Sequence, residues 1–310
     1  MTDPYQPDLF GESSAPPATG VVAEQFIFPP FTILDARSGP WQERKRAWLA
    51  LGIKGEVGRD DKLLMGNVAE YLGDTGAVEA RTSIFDPTMC ELAYRWFAPP
   101  AGQVVDPFAG GSVRGILAAW LGRRYWGGDL RAEQVDANRE QATKILDRFA
   151  PPHTPPVWTC GDSAVTIADA PPADMIFTCP PYGDLERYSD HPADLSAMEW
   201  PAFVAAYRRI IAAAVARLKP DRFACFVVGD FRCGRGFYRD FVSTTIRAHE
   251  DAGARLYNEA ILATAIGTAS ARVTAQFEAS RKMAKTHQNV LVFCKGDPKR
   301  AAAACKGGVP

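Results

Sequence analysis

From residue 82 onward the chain alternates between two hydrophobic rhythms. Short, nearly continuous apolar runs of strand length, such as QVVD at 103–106 and MIFTC at 175–179, are bounded by Gly, Pro and Asp. Between them lie longer stretches in which apolar residues recur every three to four positions, as in RAEQVDANREQATKILDRF at 131–149. The first rhythm suits strands buried on both faces, the second amphipathic helices. Asp86-Pro87 reads as an N-cap and first helical residue, opening a helix that runs to Ala98 and ends at Pro99-Pro100. GQVVD then forms a strand, followed by a glycine turn, a helix over about 112–121, the strand RRYWGGDL and the long helix at 131–149. VWTCGDS and MIFTCPPY add two strands, and a helix over about 198–218 leads into RFACFVVGD. A helix over about 239–251 precedes LYNEAILATA and HQNVLVFCK. This order predicts an α/β fold with a Rossmann-like, doubly wound, mostly parallel sheet covered by helices on both faces. The last two strands are expected to follow each other without a helix and to pair antiparallel.

Ahead of this alternation, residues 1–25 mix Pro, Ser, Gly and acidic residues without periodicity and read as a disordered tail. Residues 26–81 read as an N-terminal extension containing a short helix over 41–52, whose Trp41 and Trp48 suit packing. Residues 82–298 read as one domain and 299–310 as a basic tail. A chain of 310 residues can bury one large core with room for such an appendage. No apolar run reaches the ~18–20 residues needed to span a bilayer. The start MTDPYQPDLFG lacks the basic-then-apolar form of a secretory signal. The seven cysteines, Cys90, Cys160, Cys179, Cys225, Cys233, Cys294 and Cys305, are scattered without CxxC pairs or paired histidines. That pattern argues for reduced thiols in a cytoplasmic protein, with neither a disulfide framework nor a metal centre.

The formal net charge of −1 conceals a split. From Tyr207 to Pro310 there are 18 Lys and Arg against 8 Asp and Glu, so residues 1–206 are acidic overall. One basic lobe on a near-neutral chain suggests a surface that meets a polyanion, although unevenly spread solvated charge gives the same count. Within this half, FRCGRGFYRD at 231–240 mixes Arg232 and Arg235 with glycine and aromatics, as a phosphate-tracking loop would. Residues 266–288 add Arg272, Arg281, Lys282 and Lys285 between two predicted strands. These six cations are the candidate DNA contacts. No separate recognition domain of ~80–100 residues is visible, so a short target sequence or loose selectivity is expected.

In an open α/β sheet ligands sit at the carboxyl ends of the strands, and the chemistry-bearing residues fall at such ends. Asp106-Pro107-Phe108-Ala109-Gly110-Gly111 follows the first strand of the domain. Its glycines allow close backbone approach to a ligand, and the helix behind it presents free N–H groups. Asp129 ends the next strand, about 20 residues on, where an acid accepts from both ribose hydroxyls. Asp162 and Ser163 end the third, placed to meet an adenine ring. Cys179-Pro180-Pro181-Tyr182 ends the fourth. Together these read as a nucleoside cofactor site beside a rigid loop.

These segments resemble the S-adenosylmethionine-dependent DNA methyltransferases that modify exocyclic amino groups, the N4-cytosine and N6-adenine family. TSIFDPTMCELAYRWFAPPAGQVVDPFAGGSVRG is similar to their cofactor block, and LGRRYWGGDLRAEQVDANREQ to the segment after it. TCPPY is similar to their catalytic loop, in which Asp, Asn or Ser precedes Pro-Pro and an aromatic. GDLERYSDHPADLS, NEAILATAIG and KTHQNVLVFCKGDPK also resemble methylases of phage and prophage genomes. The resemblance spans roughly 82–295 and implies the class I methyltransferase fold. It implies that Phe85, Pro87, Asp106, Phe108, Gly110, Gly111, Asp129, Asp162 and Ser163 hold S-adenosylmethionine. Cys179, Pro180, Pro181 and Tyr182 would hold a base flipped out of DNA, with Tyr182 stacking on it and a loop carbonyl accepting from its amino group.

Position 179 departs from the family pattern. Cysteine comes nearest to serine in size, and the serine form goes more often with cytosine N4, which favours that atom over adenine N6. A thiol can also serve as the nucleophile of C5-cytosine methylation, but there the Cys follows the proline, whereas Cys179 precedes the pair. RNA methylation and a non-catalytic, DNA-binding relative are the remaining alternatives. In the tail, Gln6-Pro7-Asp8-Leu9-Phe10 resembles the short peptide by which bacterial proteins bind the replication sliding clamp. That implies Leu9 and Phe10 filling a pocket while Gln6 sets the register.

Overall fold

Alternation of period two along the central strands, with both faces buried, sets the architecture. The computed structural model describes residues 26–54, 85–148, 154–183, 188–265 and 269–306. Strands β1 (Ile33–Asp35), β2 (Gln103–Asp106), β3 (Arg124–Asp129) and β4 (Val157–Cys160) join β5 (Ala173–Thr178), β6 (Leu218–Val228), β7 (Arg255–Ala263) and β8 (His287–Lys295) in one sheet. Its order is β1-β7-β8-β6-β5-β2-β3-β4. β8 runs antiparallel to β6 and β7, and the other pairings are parallel. The expected fold class, a mostly parallel doubly wound sheet with an antiparallel pair near its C-terminal end, is the one observed. From β2 the chain winds outward through β3 and β4, then returns to β5 on the other side of β2. The order of winding therefore reverses between β2 and β5, which is where such sheets bind ligands.

Alternate residues of the strands feed two cores. Val104, Met175, Phe177, Cys225 and Val227 face one side with Trp41, Trp48, Tyr94 and Trp120. Val105, Ile176, Ala224, Phe226 and Val228 face the other with Phe203, Tyr207 and Phe241. On the first side lie α1 (Gly39–Ala50), α2 (Pro87–Phe97) and α3 (Val113–Trp120); α4 (Ala132–Leu146) follows β3. A short helix α5 (Ser163–Thr166) follows β4. On the second side lie α6 (Trp200–Arg217) and α7 (Phe241–Asp251); α8 (Ala269–Ser280) and α9 (Pro298–Cys305) complete the order.

One feature departs from the sequence-based expectation. The last two strands are separated by α8, whose alanine-rich sequence ASARVTAQFEAS favours helix although its weak periodicity hid it. The described part of the N-terminal extension belongs to the main core: β1 pairs with β7, and Trp41 and Trp48 are fully covered. What fastens it is Glu91, wholly buried on α2, which accepts from Arg44 at 2.6 Å, from Arg95 at 2.9 Å and from the Trp48 indole at 2.8 Å. Burial opposes charge on Glu91, but these donors outweigh it and hold the carboxyl below its ordinary range. The tail 1–25 with Gln6, Leu9 and Phe10, and residues 55–81, lie outside the described residues.

His249 is sealed in the second core, its ring stacked on Phe293 at 3.8 Å and edge-on to Phe226 at 4.3 Å. Its Nδ1 donates to the Thr245 carbonyl at 2.8 Å. Burial depresses its pKa from 6.5 to about 3, so the folded state keeps it neutral while the unfolded chain takes up a proton. Its contribution to stability is complete above pH 6.5 and is lost on acidification, by up to about 1.4 kcal/mol per pH unit. The loss tied to Glu91 begins only below its ordinary value of 4.5. Urea unfolding midpoints should therefore fall between pH 6.5 and 4.5, and His249→Leu should flatten that decline. An unchanged slope in the variant would remove His249 as its cause.

Candidate active site

The glycine turn after β2 is held from beneath by a buried charge pair. Asp106, wholly inaccessible, accepts from Arg114 Nε at 2.6 Å, from the Tyr125 hydroxyl at 2.8 Å, from the Thr178 hydroxyl and from the Phe108 N–H at 3.1 Å. Arg114 in turn donates to the Phe108 and Ala109 carbonyls at 2.7 and 2.8 Å, and its guanidinium lies over the Phe85 ring. Burial by itself would weaken the hold of Arg114 on its proton, yet Asp106 reverses this and raises the pKa. With the carbonyls of the turn drawn inward, Gly110 adopts a left-handed backbone, φ 51°, and its N–H donates to Asp129 at 3.0 Å. Close packing excludes side chains behind the turn: a Cβ on Gly127 would lie 2.9 Å from that of Ala109.

Above this turn opens a cavity of about 450 Å³. Phe85, Phe108, Gly110, Gly111, Asp129, Asp162, Ser163, Cys179, Pro180, Pro181 and Tyr182 all line it. Asp129 also accepts from the Arg131 N–H at 2.9 Å, and Asp162 caps α5 through Ala164 N at 2.9 Å. Each ionised carboxylate offers about four lone-pair sites, so these bonds leave room for ligand hydroxyls. The Ser163 hydroxyl donates to the Pro107 carbonyl at 2.6 Å, which leaves its acceptor lone pairs for a ligand. Two expected contacts do not reach the wall. Asp106 lies behind it, because its lone pairs organise the turn, and Pro87 is buried as the first residue of α2. Asp86 and Met89 line the cavity there instead, joined by Gln42 and Lys45 of α1.

Across the switch point, Thr178 ends β5 on Asp106, so one carboxylate anchors both the glycine turn and the entry to Cys179-Pro180-Pro181-Tyr182. Pro180 is buried and Pro181 half-buried. The Tyr182 ring packs edge-on against Phe231 and Phe241, and its hydroxyl accepts from Gln288 at 2.5 Å and shares a hydrogen bond with the Cys179 sulfur. Burial, then the neighbouring thiol, push this phenol well above its ordinary pKa, keeping it protonated. Residues 184–187, directly after this loop, lie outside the described residues.

The six candidate DNA cations separate. Arg232 donates to the Gly236 carbonyl at 2.7 Å and sits over the Tyr238 ring at 4.0 Å, stiffening a hairpin that exposes Arg235 and Phe237. Phe231, at its base, touches Tyr182. Lys285 is also beside the loop: a Cβ on Gly229 would lie 3.4 Å from Lys285 Cε and 3.7 Å from the Tyr182 ring. Lys282 is half-buried, and Arg281 is exposed over Phe277. The Arg272 side chain lies outside the described residues. Sequence reasoning missed Arg114, Gln288 and Lys45. An arginine inside the apolar helix SVRGILAAW was a signal for the first; strand position alone says nothing of Gln288.

No protein-family model matches the chain. No curated protein sequence matches it either. Among solved structures, PH1948 of Pyrococcus horikoshii, proposed to be an RNA methyltransferase, is 14% identical with a TM-score of 0.49, covering 82% of this chain and 100% of its own. TrmN from Thermus thermophilus is 16% identical at 0.45, with 68% of this chain covered and 49% of TrmN, so the chain spans about half of TrmN's length. Magnesium protoporphyrin IX methyltransferase from Synechocystis PCC 6803, solved with bound SAM, is 14% identical at 0.40, covering 64% and 71%. At these values the likenesses assign neither family nor substrate, and the functional reading rests on this chain's own side chains.

Because Asp106 holds both halves of the cleft, Asp106→Ala should destabilise the protein by about 3–5 kcal/mol, the usual cost of stranding one partner of a buried ion pair. Chemical denaturation compared with the parent reads this directly; a loss under about 1 kcal/mol would show that the pair is not the anchor.

Proposed function

We propose that the chain is an S-adenosylmethionine-dependent methyltransferase acting on an exocyclic amino group of a base in DNA, cytosine N4 ahead of adenine N6. One observation carries the reading: the glycine turn, Asp129, Asp162 and Cys179–Tyr182 line a single cavity. The cavity suits that cofactor in size and donor set, since nucleoside ligands occupy pockets of ~300–1,000 Å³ and ribose hydroxyls need acceptors such as Asp129. When bound, S-adenosylmethionine supplies an electrophilic methyl group on a sulfonium. Asp129 orients the ribose and the Gly110–Gly111 turn accommodates the backbone-close part of the ligand. A carbonyl of the Pro180-Pro181 loop accepts an N–H bond from the amino group, aiming its lone pair. Tyr182 offers a ring face to the base while Gln288 fixes its hydroxyl. The hairpin bearing Arg232 and Arg235, with Lys285 beside the loop, meets phosphates.

A second reading is cytosine C5 methylation, favoured by the Cys179 thiol in the cavity wall. The test is mass spectrometry of nucleosides from duplex DNA, single-stranded DNA and RNA incubated with the protein and isotope-labelled cofactor. Labelled 4-methylcytosine from DNA is expected. Label in RNA alone, or none anywhere, overturns the proposal. Cys179→Ser should retain most transfer to N4, whereas C5 chemistry would vanish with the thiol. Tyr182→Ala should lower kcat/KM roughly 5- to 100-fold, as for lost base stacking.

A separate outcome concerns Arg235. If it contacts a phosphate, Arg235→Ala weakens binding evenly across DNA sequences and reduces the salt slope of affinity by about 1. Titrations at several salt concentrations report both, and an unaltered slope would place the DNA elsewhere.

A further inference from the structure

The N-terminal strand and helix form part of the cavity wall: Ala36, Gln42 and Lys45 line it together with Asp86. Lys45 Nζ lies 3.2 Å from Asp86, with both side chains partly accessible, 30% and 15%. Asp86 is already heavily used. It accepts from the Thr88 and Met89 N–H groups at 2.9 and 3.4 Å, and from the Trp41 indole at 3.3 Å. An ammonium carries three donors, and Asp86 accounts for one of those on Lys45.

Two other cations line the cavity, and neither suits a ligand anion as well. Arg114 is committed to Asp106 and to the Phe108 and Ala109 carbonyls. Arg131 belongs to the turn after β3, next to the ribose acid Asp129. Lys45 stands on the part of the wall formed by α1 and the start of α2. There Phe85, adjacent to Asp86, packs edge-on against Phe177 at 5.6 Å, two residues before Cys179. A cofactor whose nucleoside lies at Asp129 and Asp162, and whose sulfur faces Cys179–Tyr182, can extend its amino-acid tail along this part of the wall, where the uncommitted donors of Lys45 suit a carboxylate.

We infer that Lys45 binds the α-carboxylate of the cofactor's methionine tail and that Asp86 positions it. The inference rests on the reading of the cavity as an S-adenosylmethionine site. It makes the N-terminal strand and helix part of the cofactor site, although they precede the stretch 82–295 that carries the sequence motifs.

Calorimetric titration with two probes tests it: S-adenosylhomocysteine, which has the amino-acid tail, and 5′-methylthioadenosine, which lacks it. The parent should bind both. Lys45→Met should weaken S-adenosylhomocysteine about 10- to 100-fold, as for loss of a charge-assisted hydrogen bond, and leave methylthioadenosine within about 2-fold. Lys45→Arg should recover most of the loss. Equal weakening of both probes would make Lys45 merely structural and overturn the inference, as would no weakening of either. If the parent binds neither probe, the cofactor reading itself fails, an outcome distinct from both.

Discussion

The cleft depends on a carboxylate that never touches it. Asp106 closes four hydrogen bonds inside a dry wall, and each ties down a different element: α3 through Arg114, β3 through Tyr125, β5 through Thr178 and the glycine turn through Phe108. A buried charge is tolerated only when its partners are complete, because a stranded ion in low dielectric is costly. The four elements are thus held in mutual register, since displacing any of them would leave the carboxylate short of a donor. Arg114 extends the same constraint to the carbonyls of Phe108 and Ala109. A glycine-rich turn is entropically loose, and here its looseness is removed from below while its upper surface stays bare.

This anchoring explains how two chemically distinct halves share one cavity. β2 and β5 are neighbours in the sheet but far apart in sequence, and the winding reverses between them. Glycine turn and proline loop consequently emerge side by side at the same sheet edge. One carboxylate holding both sets their spacing more tightly than loop contacts could. The second core supports the other flank: Tyr182 leans on Phe231 and Phe241, and Phe231 begins the basic hairpin. Stiffness therefore runs from the aromatic core through the loop to the surface where the positive charge of the C-terminal third is displayed.

Much of this was legible in the sequence for identifiable reasons. Strands such as QVVD and MIFT are short, apolar and bounded by breakers, and the cavity-lining residues follow them directly, so period and position point to both fold and cleft. What escaped notice is of two kinds. The motif's position makes Asp106 read as a ligand contact, but a motif does not distinguish a residue that touches a ligand from one that holds the turn in place. Only its four buried donors make that distinction. The role of α1 was hidden because Trp41, Lys45 and Trp48 act through partners some 40 or more residues away, Asp86 and Glu91, a pairing no local pattern encodes. The helix α8 was missed because alanine and serine carry little periodic signal.

The thiol at 179 follows from the same distribution of tasks. In the proposed reaction the amino group is aimed by a loop carbonyl, and two successive prolines fix that carbonyl whatever side chain precedes them. The side chain at 179 then need only be small and compatible with a half-buried polar neighbour. Cysteine meets that demand by sharing a hydrogen bond with the Tyr182 hydroxyl, which Gln288 already orients from β8. With a thiol at 179, the proposed reaction leaves the positioning of the amino group to the backbone. Through Gln288 the Tyr182 hydroxyl is tied to the antiparallel strand β8.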